Sequence, residues 1–300
     1  MDATRALTRR CGPTEVELQP SEGGRITRLT YDGVDLVLPP GRVPGFHGDT
    51  FWPSPQARFD WPPPPILDAA PYEVVTESSS SLGLRSAPDL DFGFQLEKRF
   101  SLSEHGLAME FTLTNIWPHA QEVAPWQVTR APRAGILVWA TGEPFHDADR
   151  MQKQTEDPGC WFVHTDSTVT FEGLEAGDTH SSITVPAVTR KSKAFTDARG
   201  WLAHAHHSTL FLRVFPDLTI DQAAPRQGEV ELFFDPERDY IELENQGAHV
   251  TLGPGQSLTY PVEWRLRALD PGLPTDRLTP ELLAEIHSLL ADVSAPCGRS

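Results

Sequence analysis

Cysteine is scarce. Cys11, Cys160 and Cys297 are the three in 300 residues, far apart and odd in number. With no CxxC pair and no framework of the kind that staples small secreted domains, reduced thiols and a cytoplasmic location are expected. Long apolar runs are missing too. No stretch approaches the roughly 20 residues of a membrane-spanning helix, and the opening residues Met1 to Arg10 lack the apolar centre of a signal peptide. Basic charge is short: 25 Lys and Arg stand against 42 Asp and Glu, a formal charge of −17. That surface repels nucleic acid and anionic membranes, so neither is expected as a partner. The acidic residues are dispersed, which suits a solvated surface better than an interaction tail. Signature loops are also absent. There is no GxSxG elbow, P-loop or dinucleotide fingerprint, and no cofactor is expected.

Proline, by contrast, is abundant: its 28 residues are about twice the usual ~5% share. The prolines sit between short apolar runs, a pattern of many strands joined by irregular loops. Ile26 to Tyr31, Asp32-Gly33, and Val34 to Leu38 read as a hairpin, because Asp-Gly supplies the positive φ of a type I′ turn. A second pair spans Phe94 to Leu102 and Leu107 to Thr114. Further alternating, β-branched or aromatic segments are Ala134–Ala140, Trp161–His164, Thr168–Phe171, Trp201–His206, Thr209–Phe215, Glu229–Phe234, Tyr240–Glu244 and Leu258–Leu269. One helix is expected at about 279–293. Thr279 is its N-cap, Pro280 its first residue, and Leu282, Leu283, Ile286, Leu289, Leu290 and Val293 form its apolar stripe. No repeat or linker divides the chain, so residues 1–300 are expected to form one all-β domain, with a core at about 14–269.

Three segments carry candidate chemistry. The first runs from Gly45 to Gln56 and on to Trp61. Its prolines fix the backbone, so His47, Trp52 and Gln56 are held with little entropy left to lose. Tryptophan beside amide and imidazole suits a sugar, whose faces are apolar C–H patches and whose edges are hydroxyls. The same segment also reads as a stiff ordered loop over the end of a sandwich. The second is Gln121 to Arg130. Alternation puts Trp126, Val128 and Arg130 on one face and Gln127 and Thr129 on the other. An Arg near a Trp can hold an anion or a ring oxygen, or equally be a surface residue packing its stem. The third is Tyr240 to Gly247, where Glu242 and Glu244 share a strand face. In an enclosed groove their repulsion raises one pKa and makes a general base; on a solvated face they are ordinary charges. Arg130, Lys193 and Arg58 are cations that suit an acidic substrate, while the net charge argues against strong anion steering. The run His204-Ala205-His206-His207 lacks the third ligand and second shell that zinc or iron requires, so no metal site is expected there.

The order of these motifs is similar to that of galactose mutarotase-like (aldose 1-epimerase-like) proteins. Gly23-Gly24-Arg25-Ile26 resembles their opening. Glu242-Leu243-Glu244-Asn245-Gln246, then Leu252-Gly253-Pro254-Gly255 and Val262-Glu263-Trp264, resemble their closing segment. Gly48 to Gln56 with Trp61-Pro62-Pro63 resembles more specifically the uncharacterised DUF4380 branch. The resemblance implies a two-sheet β-supersandwich with a C-terminal helix and a concave groove for a small-molecule carbohydrate. It matches Glu244 to the family's catalytic base. The family's histidine acid has no counterpart, since Pro125 is followed by Trp126 and Gln127; His47 or Lys193 is the substitute available. Three readings stay open. The first is an isomerase or lyase acting on a sugar through Glu244, with His47, Trp52, Gln56, Trp126, Gln127, Arg130, Lys193 and Glu242 as contacts. The second is a carbohydrate-binding protein without turnover, and the third a structural role in which these segments serve only the sandwich.

Overall fold

The Asp32-Gly33 turn folds as the sequence dictates. Both residues take positive φ, 48° and 81°, and join the strand Arg25–Tyr31 to the short strand Val34–Asp35. The computed structural model describes residues 6–59, 61–143, 160–165 and 171–292. Within them, strand after strand of this kind assembles into two stacked sheets of 11 and 10 strands.

The first sheet holds the candidate residues. Its centre is formed by Asp49–Ser54, Gln121–Pro132, Tyr240–Gln246, Val230–Asp235 and Ser192–Thr196, side by side in that order. These five pair antiparallel, and Trp161–His164 joins the edge in parallel. The second sheet is built around Phe94–Ser103, Gly106–Asn115, Ser257–Ala268, Thr209–Val214 and Trp201–His206. Alternation along each strand sends one set of side chains between the sheets. Phe51 and Phe111 stack there at 4.3 Å between ring centres, among Leu96, Leu113, Leu232 and Leu243.

The C-terminal helix is Pro280–Ala291, capped by Thr279, whose hydroxyl accepts from the Leu282 N–H at 3.2 Å. Leu282, Ile286 and Leu289 pack on Ile136, Val138, Ala203, Ala205, Leu210 and Leu212. Those residues alternate with Leu137, Leu202 and Phe211 of the inter-sheet core, so the helix braces the outer face of the second sheet. Arg265 donates to the Leu290 carbonyl at 2.7 Å, placing a cation at the negative end of the helix dipole.

Two expectations need correction. The segment from Gly45 to Trp61, read also as a stiff ordered loop, contains the fully buried strand Asp49–Ser54. Its Pro53 stands opposite Pro125 in the pairing register, so the two missing donors fall at one level of the sheet. Cys11 is disulfide-bonded, so the expected reduced thiol does not hold at that residue. Most of the expected strand Thr168–Phe171 lies outside the described residues. No helix among the described residues is long and apolar enough to cross a membrane.

Candidate functional site

Register places the chemistry. Trp52 stands opposite Trp126, Val128 opposite Glu244, and Arg130 opposite Glu242. On the far side Glu231 pairs with Glu244, and Lys193 with Phe233. Because side chains alternate along each strand, all of these rise from the same face of the first sheet, away from the inter-sheet core. Part of this face opens into a cavity of about 340 Å³. Trp52, Trp126, Trp61, Gln56, Tyr240, Phe233, Lys193, Glu242 and Glu244 are among its lining.

Aromatic packing shapes the wall. The Trp52 and Trp126 rings meet edge to face at 5.2 Å, and Trp61, 52% exposed, packs edge-on against Trp52 at 6.0 Å. The Trp52 indole N–H donates to Asp68 at 2.7 Å, which fixes the ring. The Arg130 guanidinium lies 5.3 Å from the Trp52 ring centre. It donates to Glu242 at 2.8 Å and to the Thr50 hydroxyl at 2.9 Å. Arg130 is therefore a buried support behind the lining, not a member of it.

Glu244 is the most constrained group at the site. It is 1% exposed, and its Oε2 accepts from Trp126 Nε1 at 2.8 Å and from Lys193 Nζ at 3.1 Å. The same ammonium lies 2.6 Å from Glu231. The Glu244 carboxyl is pushed up to about 8, chiefly by burial; Lys193 pulls it down, and Glu231 and Glu242 add to the upward push. The Lys193 ammonium moves the other way: burial opposes its charge, but Glu231 and Glu244 together hold it above its ordinary range. One ammonium between two carboxylates leaves one negative charge surplus, and Glu244 is where a proton makes up the difference. The carboxylate pairing expected from sequence is thus present, with burial as the larger cause of the shift.

Gln127 and His47 stand outside this cavity lining. Gln127 faces the inter-sheet core, where it donates to Asp49 at 3.0 Å and accepts from Arg213 at 3.1 Å. Arg213 also bonds Asn245, and the Asn245 amide donates to the Tyr260 hydroxyl at 2.9 Å. The members of this buried layer pair with one another, except that Arg213 Nε is left without a partner. His47 lies 3.3 Å from Glu22, and its carbonyl accepts from Arg25. Arg58 points to another, more open hollow, bonding the Glu122 carbonyl and Gln121 at 2.8 and 2.7 Å.

Among the described residues, the carboxylates grouped closely enough to hold a cation are Asp197, Asp217 and Glu229. Glu229 already accepts backbone N–H groups from Ala198, Gly200 and Leu218 at 2.6, 3.1 and 3.2 Å. His204 and His206 share a face as expected, with ring centres 4.4 Å apart. That face is buried, and the His204 Nε2 meets the Ala134 carbonyl at 2.7 Å.

Glu231, Phe233 and Tyr240 are site residues that the sequence reading passed over. Glu231 and Phe233 had a signal: they alternate with Val230, Leu232 and Phe234 exactly as Glu242 and Glu244 alternate with Ile241 and Leu243.

With this geometry in place, comparison with other proteins is decisive for the family. The model of DUF4380, a domain of unknown function, matches residues 53–267, more than half of the chain. The chain belongs to the DUF4380 family. No functionally curated protein matches it. Among solved structures, a galactose mutarotase-like protein from Lactobacillus casei superposes with a TM-score of 0.59 at 14% identity, covering 88% of this chain and 100% of that one. A candidate aldose 1-epimerase from Escherichia coli K12 gives 0.59 at 14%, covering 88% and 99%. A galactose mutarotase related enzyme from Lactobacillus acidophilus gives 0.53 at 10%, covering 92% and 100%. The DUF4380 chain therefore has the galactose mutarotase-like fold, and at such identities the likeness speaks for the fold alone.

Proposed function

We propose that this DUF4380 protein binds a small carbohydrate in the Trp52–Trp126 cavity and interconverts its anomers, with Glu244 as general base. The observation that carries the reading is the placement of Glu244. It is a nearly enclosed carboxylate, oriented by an indole N–H and an ammonium, at a cavity whose walls are tryptophan rings. Tryptophan faces take the C–H patches of a pyranose, while Gln56, Glu242 and Tyr240 meet hydroxyls.

The chemistry asks for a base at the anomeric hydroxyl and a donor at the ring oxygen. An ionised Glu244 takes the hydroxyl proton, the C1–O5 bond breaks as the carbonyl forms, and O5 receives a proton. Rotation about C1–C2 turns the other carbonyl face to O5. O5 returns its proton to the donor as the C1–O5 bond reforms, and the proton on Glu244 passes to the new hydroxyl, giving the other anomer with both groups restored. Lys193 is the cation at hand for the O5 step, since its ammonium faces the same cavity. A base placed this way contributes about 10²–10⁴ in rate.

A second reading is favoured by one observation: among the described residues that line the cavity, none is a histidine. On that reading the protein binds a sugar without turnover. Calorimetric titration with neutral aldoses, uronic acids and sugar phosphates tests the binding that both readings share. Saturable binding that is lost in Trp52→Ala supports them. Absence of binding across the panel, or binding untouched by Trp52→Ala, removes the cavity from consideration.

A further inference from the structure

Glu231 is a buried carboxylate that the reaction above does not use. Its side chain is wholly enclosed. Oε1 accepts from Gln246 Nε2 at 2.8 Å and from the Gly228 N–H at 3.2 Å. Oε2 lies 2.6 Å from Lys193 Nζ, which also stands 3.1 Å from Glu244. Glu231 sits directly across the strand pair from Glu244. Two carboxylates on adjacent strands therefore compete for one ammonium, and the one closer to it is the one that touches no cavity.

Burying an acid beside an unpartnered lysine would favour a single tight ion pair. A Lys193–Glu244 pair of that kind would hold the carboxylate ionised and strip it of basicity. Glu231 prevents this by drawing the ammonium toward itself. We propose that Glu231 is a positioning residue that divides the Lys193 ammonium between two carboxylates and so limits how much of its charge reaches Glu244. The inference rests on the reading of Glu244 as the base. The other charged groups around Glu244 are Glu242 on its own strand, with Arg130 bonded behind it, and Arg213 from the second sheet.

The arrangement supplies its own reporter. The Trp126 indole N–H donates to Glu244 Oε2, so its resonance follows the charge on that carboxylate. In ¹⁵N-tryptophan-labelled full-length protein, with the signal assigned by its loss in Trp126→Phe, the resonance is followed against pH. The wild-type inflection is expected near 8, and it disappears in Glu244→Gln. Glu231→Gln removes the competing charge but keeps an acceptor for Gln246 and Gly228. It should move the inflection down by about 1–3 pH units, the range for a carboxylate gaining an undivided cation. Lys193→Met should move it up.

The opposite signs separate this role from a merely structural one. If Glu231 only anchors Lys193 in place, Glu231→Gln lets the ammonium drift away and the inflection rises. A rise, no movement, or an inflection that persists in Glu244→Gln overturns the proposal. Should Lys193→Met not fold, Glu231→Asp, whose shorter arm withdraws from Lys193, must still lower the inflection. If the shifts appear as stated but no variant turns over a sugar, the inference stands and the catalytic reading falls. If Glu244→Gln abolishes turnover while Glu231→Gln leaves the resonance unmoved, the reverse holds.

Discussion

Replacing the base should make the protein more stable. Glu244 is charged in the unfolded chain above its ordinary 4.5, but its folded carboxyl titrates only at about 8. Between those values the folded state holds a proton that the unfolded state has released. Stability therefore falls as pH rises through this window. Three and a half pH units at ~1.4 kcal/mol each is a cost of about 5 kcal/mol above pH 8, and about 3 kcal/mol at pH 7. Glutamine mimics the protonated acid, since its carbonyl can still accept from Trp126 and Lys193, and it cannot ionise. Glu244→Gln should thus match the wild type near pH 4.5, exceed it by about 3 kcal/mol at pH 7, and by about 5 kcal/mol at pH 9. Urea unfolding at pH 5, 7 and 9 measures this directly, with unchanged slopes confirming a common unfolded state. A variant no more stable than the wild type at pH 9, or a difference that does not grow with pH, would refute the reasoning. A gain on losing a polar group is the mark of a group kept for function rather than for the fold.

If the protein turns over a sugar, kcat/KM should rise with pH and level off above about 8, because the base must lose its proton; a pH–rate profile checks this. In the second sheet, burial depresses His204 to about 4 and His206 to about 2 from an ordinary 6.5. Below pH 6.5 the unfolded chain takes up protons that these rings refuse, so their contribution is present above 6.5 and lost as pH falls. His206→Phe should remove about 3 kcal/mol of that loss at pH 4, read from urea melts at pH 7 and 4. Ile286→Ala, which empties a fully buried position under the helix, should cost about 2–5 kcal/mol by the same method. It should leave ligand binding intact, since the helix braces the face opposite the cavity.

Much of this architecture was legible because the physics is local. The Asp32-Gly33 turn, the long strands Phe94–Ser103 and Ser257–Ala268, and the Thr279-capped helix announce themselves within a few residues. The strand Asp49–Ser54 was not legible, because Pro53 argues against a central strand. Only its placement opposite Pro125 shows how the sheet accepts it. The site divides the same way. Alternation put Trp126 with Arg130 and Glu242 with Glu244, and the sheet keeps both pairs on one face. Alternation also set Gln127 on the opposite face from Trp126, which is why it meets Asp49 and Arg213 in the core. Lys193 and Glu231 come together only through sheet order, since the strands Ser192–Thr196 and Val230–Asp235 are neighbours in space and distant in sequence. No local pattern reports such a contact.

The central claim, that Glu244 at this cavity acts as a base on a bound sugar, is tested most directly by anomer exchange. Two-dimensional exchange NMR on a panel of aldoses compares the wild type, Glu244→Gln and Glu242→Gln with the spontaneous rate. The account predicts exchange above background for at least one aldose in the wild type, lowered about 10²–10⁴-fold in Glu244→Gln. Full exchange activity in Glu244→Gln would contradict it.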